Sequence, residues 1–127
     1  DQTHVIDLVP TFLAAHAVPP EYKGRADEFT RLICEEMLPL AAEWFKDSHF
    51  TLENAPFFCD VFCEKNAFDL EQTRRVLETA KNLGFKLKAH VDEFTNLGGA
   101  RLAVEMGATS VDHLDATSDE EIELLAA

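Results

Sequence analysis

At 127 residues the chain is long enough for one domain with a real core, and its formal net charge of −13 argues against a nucleic-acid partner. Phosphate binding needs clustered Lys and Arg, which are absent here. With 46% apolar and 28% charged residues the composition is globular, and no apolar run approaches the ~18 residues of a membrane span.

The first apolar run is "HVIDLVPTFLAAHAVPP". From Val5 to Ala15 it is apolar on both faces, which suits a parallel sheet covered by helices, and Pro10 marks a bend. "ADEFTRLICEEMLPLAAEWF" follows, with Phe29, Leu32, Ile33, Met37, Leu40 and Trp44 at helical spacing. Pro39 is expected to kink or restart that helix. Next come a short apolar strand, "PFFCDVFCE", and the helix "DLEQTRRVLETAKNLG". Asp69 is its expected N-cap and Gly84 its stop, with Leu70, Val76, Leu77, Ala80 and Leu83 inward. "FKLKAHV" is the third strand, followed by a helix from about Asn96 to Met106 that stops at Gly107. "TSVDHLD" is the fourth, and Ser118 with Glu121 forms a capping box for the last helix.

Four strand–helix units predict a parallel α/β fold. An eight-unit (β/α)8 barrel needs about 250 residues, so this is about half of one. A dimerising half barrel and a small doubly wound sheet are the alternatives to a fragment. The ends favour the fragment: the chain opens just before a strand-like run without Met and closes on "EEIELLAA" within a helix. Residues 1–127 are therefore expected to be a partial barrel from a longer protein. No basic region followed by an apolar stretch is visible at the start, and the expected location is the cytoplasm. The odd cysteine number, Cys34, Cys59 and Cys63, reads as reduced buried thiols rather than a redox or metal cluster.

His16, Glu64, His90 and His113 each stand at or just past a strand's C-terminal end, where barrel active sites are built. Along "FKLKAHV", Phe85, Leu87, Ala89 and Val91 share the helix-facing side, and Lys86, Lys88 and His90 share the other. His90 then points inward. By the same alternation Thr109, Val111 and His113 face inward on the fourth strand. Each histidine alone reads as structural or merely exposed, but two at successive strand ends are a candidate pair of ligands or proton carriers. Glu93 alone is an ordinary loop carboxylate. Glu64 is an orienter of its neighbours or, the favoured reading, a plain loop acid. His4 and His49 read as surface residues. "NLGG" reads as tight helix packing rather than a phosphate nest.

"PTFLAAHAVPPEY", "DVFCEKNAFDLEQTRRVLE", "KLKAHVDEFTNLGGARLA" and "SVDHLDATSDEE" together resemble the imidazolonepropionase family of the amidohydrolase superfamily. The resemblance covers nearly the whole chain, with a looser fit at "FKDSHFTLENAPF". It implies a metal-dependent barrel hydrolase that opens the ring of 4-imidazolone-5-propanoate in histidine degradation. It further implies one divalent metal per active site, Zn or Fe, with His90 as a metal ligand. Glu93 would be the acid/base beside the reacting water, His113 a catalytic contact to substrate or water, and His16 a contact to the imidazolone ring. The family's His-x-His ligands, its aspartate ligand and its carboxylate-binding arginine have no counterpart in these residues. The implied partner is a small-molecule substrate, with a homodimer as the expected assembly and no nucleic acid or membrane. Alternatives are a cytosine or guanine deaminase, which shares His-x-x-Glu, and a non-catalytic half barrel that self-associates.

Overall fold

The computed structural model describes residues 8–48 and 55–127, so His4 and His49 lie outside the described residues. Strands β1 (Thr11–Ala15), β2 (Phe58–Cys63), β3 (Lys86–Val91) and β4 (Ser110–His113) form one parallel sheet in that order. Helices α1 (Ala26–Leu32) and α2 (Leu38–Asp47) follow β1, joined by a π-helical stretch at Ile33–Met37. The helix α3 (Leu70–Asn82) follows β2, α4 (Gly99–Met106) follows β3, and α5 (Asp119–Ala126) follows β4.

Each strand is added on the same side of the one before. Right-handed crossovers then leave the helices on one face of the sheet. A doubly wound sheet requires a reversal of strand order. This sheet has none, which removes the doubly wound alternative. Cys59, Val61 and Leu87 pack against Ile33, Leu38, Leu77 and Leu102 in the main core. A second cluster joins Cys63, Ala89 and Val91 to Ala100 and Ala103. The opposite face carries Phe58, Asp60 and Phe62 from β2 beside Lys88 and His90 from β3, in register. Among the described residues no helix is long and apolar enough to cross a membrane.

The break expected at Pro39 is a wide turn rather than a sharp kink. Pro39 is the second residue of α2, directly after the π-helical stretch. The π-helical stretch before it relieves the clash between the proline ring and the carbonyl four residues back. It also shifts the helical phase, since one extra residue rotates the stripe by about 100°. Leu40 and Trp44, predicted inward, are 67% and 57% exposed, while Leu38 and Ala42 are buried in their place.

Asp69 caps α3 through a capping box with Gln72, and Ser118 caps α5 through one with Glu121. On α3, Leu83 is exposed rather than inward, and Gln72 and Thr73 are buried. The Gln72 side chain donates to Oδ1 of Asp27 at 2.8 Å, which ties α3 to α1. The cysteines are free, with Cys59 and Cys63 buried and Cys34 half-buried. Burial, aided by nearby Asp60 and Cys34, pushes the Cys59 thiol far up, so it is inert as a nucleophile.

Helix α4 starts at Gly99 rather than near Asn96, after Gly98 in the left-handed region at φ 84°. The "NLGG" stretch serves packing. A Cβ on Gly99 would sit 2.8 Å from Cγ1 and 3.0 Å from Cβ of Val91. Gly99→Ala should therefore destabilise the fold by about 1–3 kcal/mol through overpacking, measured as a lower urea midpoint. An unchanged midpoint would mean that α4 can move away from β3 at no cost.

Candidate active site

The C-terminal ends of the strands bring His16, His90, Glu93 and His113 together, above Asp60 in the middle of β2. His16 follows the last residue of β1. A bulge between Phe12 and Ala15 sets the register there, so that Ala15 pairs with Val61 and faces the helices. The His16 ring then lies edge-on to His90, with centroids 4.7 Å apart. His90 occupies the uncovered face of β3, as the alternation predicted, between buried Ala89 and Val91.

His113 reaches the site by a different route from the one predicted. Val111 pairs with Ala89 and packs on the helix side, and Asp112 is the residue in register with His90. His113 pairs with Val91, so regular alternation would send its ring toward the helices. Instead its φ is 77° and that of Leu114 is 73°. Two consecutive left-handed residues without glycine are costly and rare. They turn the ring back to 5.3 Å from His90 and 6.3 Å from Phe62. There Nε2 of His113 lies 3.4 Å from Oε2 of Glu93. Glu93 is thus a member of the histidine cluster, not a loop carboxylate facing only solvent.

The loop that carries Glu93 is fixed from β2. Glu64 is 3% exposed and binds that loop by its backbone. Phe94 N–H and Thr95 N–H donate to Oε2 of Glu64 at 2.9 and 3.1 Å, Lys65 N–H donates to Oε1 at 2.7 Å, and the Thr95 hydroxyl also donates to Oε1. Burial pushes this carboxyl up, but the Thr95 hydroxyl and the three N–H groups outweigh it and hold the pKa at about 2. The plain-acid reading of Glu64 is therefore corrected: it clamps the β3–α4 loop. Asp92 lies beneath, fully buried, with φ 54° and Oδ2 accepting from the Thr117 hydroxyl at 2.9 Å. Burial raises its pKa above the usual carboxylate value despite the Thr117 hydroxyl.

Asp60 was not singled out from the sequence. It is 4% exposed in the middle of β2, and its Oδ1 lies 3.0 Å from Nδ1 of His90. The same oxygen is 3.4 Å from Nε2 of His16, close enough for an ion pair but without hydrogen-bond geometry. Burial works against its ionised form, yet the two imidazoles outweigh burial and hold the carboxyl below its ordinary value. The sequence did carry a signal: one acid at an inward position of an otherwise apolar strand. Donor atoms of His16, Asp60 and His90 all lie within 4.8 Å of one another. Imidazoles suit zinc or iron, while Oδ1 of Asp60 is already engaged by Nδ1 of His90.

No protein-family model matches the chain. Curated relatives do. The imidazolonepropionase of Chloroflexus aggregans is 58% identical over 127 residues, covering 100% of this chain and 30% of that protein. That of Herpetosiphon aurantiacus is 53% identical over 125 residues, 98% of this chain and 29% of the relative. One from Streptococcus gordonii is 51% identical over 126 residues, 99% of this chain and 28% of the relative. The chain is a relative of the imidazolonepropionases along its whole length, as a segment that spans about 30% of theirs.

Proposed function

We propose that this chain is the central segment of a cytoplasmic, metal-dependent amidohydrolase barrel that opens the ring of 4-imidazolone-5-propanoate with water, giving N-formimidoyl-L-glutamate. The observation that carries the reading is the convergence of His16, His90, His113 and Glu93 on the uncovered face at the strand C-termini, in a chain whose relatives are named imidazolonepropionase. The four sequential parallel strands support the barrel, since they amount to half the count of a (β/α)8 fold.

The residues present fit a divalent metal. His90 commits Nδ1 to Asp60, which leaves Nε2 as its metal-ligating nitrogen, the usual pattern for a ligand histidine. Zinc or iron, when bound, polarises the ring carbonyl and makes water a stronger nucleophile. Glu93 takes a proton from the attacking water as the water oxygen joins the ring carbonyl carbon. It then gives that proton to the ring nitrogen as the carbon–nitrogen bond breaks. His113, 3.4 Å from Glu93, orients the reacting water or substrate. His16, at the rim of β1, contacts the imidazolone ring. The test is to supply the full-length enzyme with imidazolone propanoate, cytosine and guanine. Ring opening of the first alone supports this reading, and deamination of either base replaces it with a deaminase.

Among the described residues, the uncovered face and the unpaired outer edges of β1 and β4 also favour a second reading for the chain by itself, a half barrel that pairs with another copy. Catalytic zinc sites use three protein ligands and an open position. Of the family's ligands this segment supplies His90 alone. The 127-residue chain, dialysed against a mild chelator, should retain no tightly bound metal and show no turnover, while light scattering reports its pairing. One metal per chain with measurable hydrolysis would overturn that expectation.

A further inference from the structure

Asp60 differs from the other acids of the site. It is 4% exposed, and its ion-pair partners among the described residues are His90 and His16. An ionised carboxylate only accepts hydrogen bonds. Against an ionised Asp60, the 3.0 Å contact requires Nδ1 of His90 to be the protonated nitrogen. The neutral ring has one proton, so Nε2 carries the free lone pair. Asp60 lies on the central strand β2, which pairs with β1 and β3 on either side. In register it is opposite Lys88, one inward position below His90. It thus supports the ring from the floor of the sheet face and leaves the rim open.

We propose that Asp60 is the positioning residue of this site: by accepting from Nδ1–H of His90 it fixes that tautomer and presents Nε2 to a divalent metal. The same Oδ1 lies 3.4 Å from Nε2 of His16, without hydrogen-bond geometry. Asp60 acts through His90 and takes no part in the bond changes. The proposal rests on the reading of His90 as a metal ligand, but its test does not require a metal.

The experiment uses the metal-free 127-residue chain with 15N-labelled histidine, at a pH where imidazoles are neutral. Long-range proton–nitrogen correlation reads which ring nitrogen of His90 is protonated. The wild-type chain should show the Nδ1–H form, and an Nε2–H form overturns the proposal without any variant. Asp60→Ala removes the acceptor and should shift His90 to the Nε2–H form or a mixture. Persistence of pure Nδ1–H in that variant also overturns the proposal. Asp60→Asn retains the shape and an acceptor oxygen, so it guards against misfolding and should preserve the Nδ1–H form. In the full-length enzyme the loss of such an outer partner typically lowers metal affinity 10–100-fold. Asp60→Ala should lower it by about that factor, and unchanged affinity there would overturn the positioning role. His90→Ala tests the parent reading separately: full metal retention in that variant would refute His90 as ligand and leave the tautomer result intact.

Discussion

Glu93→Gln in the full-length enzyme should lower the ring-opening rate by ~10²–10⁴-fold and leave metal content near wild type. The amide keeps the length and shape of the side chain but cannot accept the water proton. Glu93 reaches the site through its 3.4 Å approach to His113, and nothing in that contact holds a metal. His90→Ala is the contrasting variant. It deletes the proposed ligand and should lower metal content and rate together. His113→Ala should mainly lower the rate. Metal analysis and turnover on the same preparations separate the roles. An unchanged rate in Glu93→Gln would remove Glu93 from the mechanism.

Much of this arrangement was legible because strand alternation is a hard constraint. The facing of β3 followed from "FKLKAHV", and its buried Leu87, Ala89 and Val91 agree. The capping boxes at Asp69 and Ser118 were legible for a similar reason: side-chain chemistry at fixed spacing satisfies specific backbone groups. The failures share a cause. Alternation and helical period both assume regular backbone. At His113 and Leu114 the chain enters the left-handed region, so the parity argument sent His113 inward for the wrong reason. At Ile33–Met37 the π-helical stretch moved the buried stripe onto Leu38 and Ala42. The first departure has no strong local signature, since glycine is absent from it, and the second is signalled only by Pro39 just beyond the π-helical stretch.

Asp60 and Glu64 were missed or undervalued on different grounds. A buried acid in a strand is recognisable only with its partners, and those of Asp60 lie on β3 and just past the end of β1. His90 is 30 positions away. Glu64 likewise gains its role from Phe94 and Thr95, about as distant in the chain. The parallel fold creates these neighbours by aligning successive strand ends. Once four strands are aligned, any polar residue at those ends becomes a candidate for the same site.

Glu64→Gln should destabilise the fold by about 1–3 kcal/mol near neutral pH, because a buried backbone donor loses its acceptor. Oε2 of Glu64 serves Phe94 N–H and Thr95 N–H, and Oε1 serves Lys65 N–H and the Thr95 hydroxyl. A glutamine amide must present its NH2 to one of these pairs. The Thr95 hydroxyl can rotate to accept, but an N–H cannot, so at least one backbone donor is orphaned in either orientation. The pH dependence has a definite sign. The folded pKa of about 2 is depressed from the ordinary 4.5, so the carboxylate contributes its full stability above about 4.5. That contribution is lost as pH falls from 4.5 toward 2. The gap between wild type and Glu64→Gln should therefore be constant around neutrality and narrow across that acidic window. Urea unfolding of both proteins along a pH series measures it. In the full-length enzyme the variant should also lose turnover, since Glu64 fixes the loop that carries Glu93. A gap that stays constant down to the acid limit would mean that the clamp is steric and does not depend on the charge of Glu64.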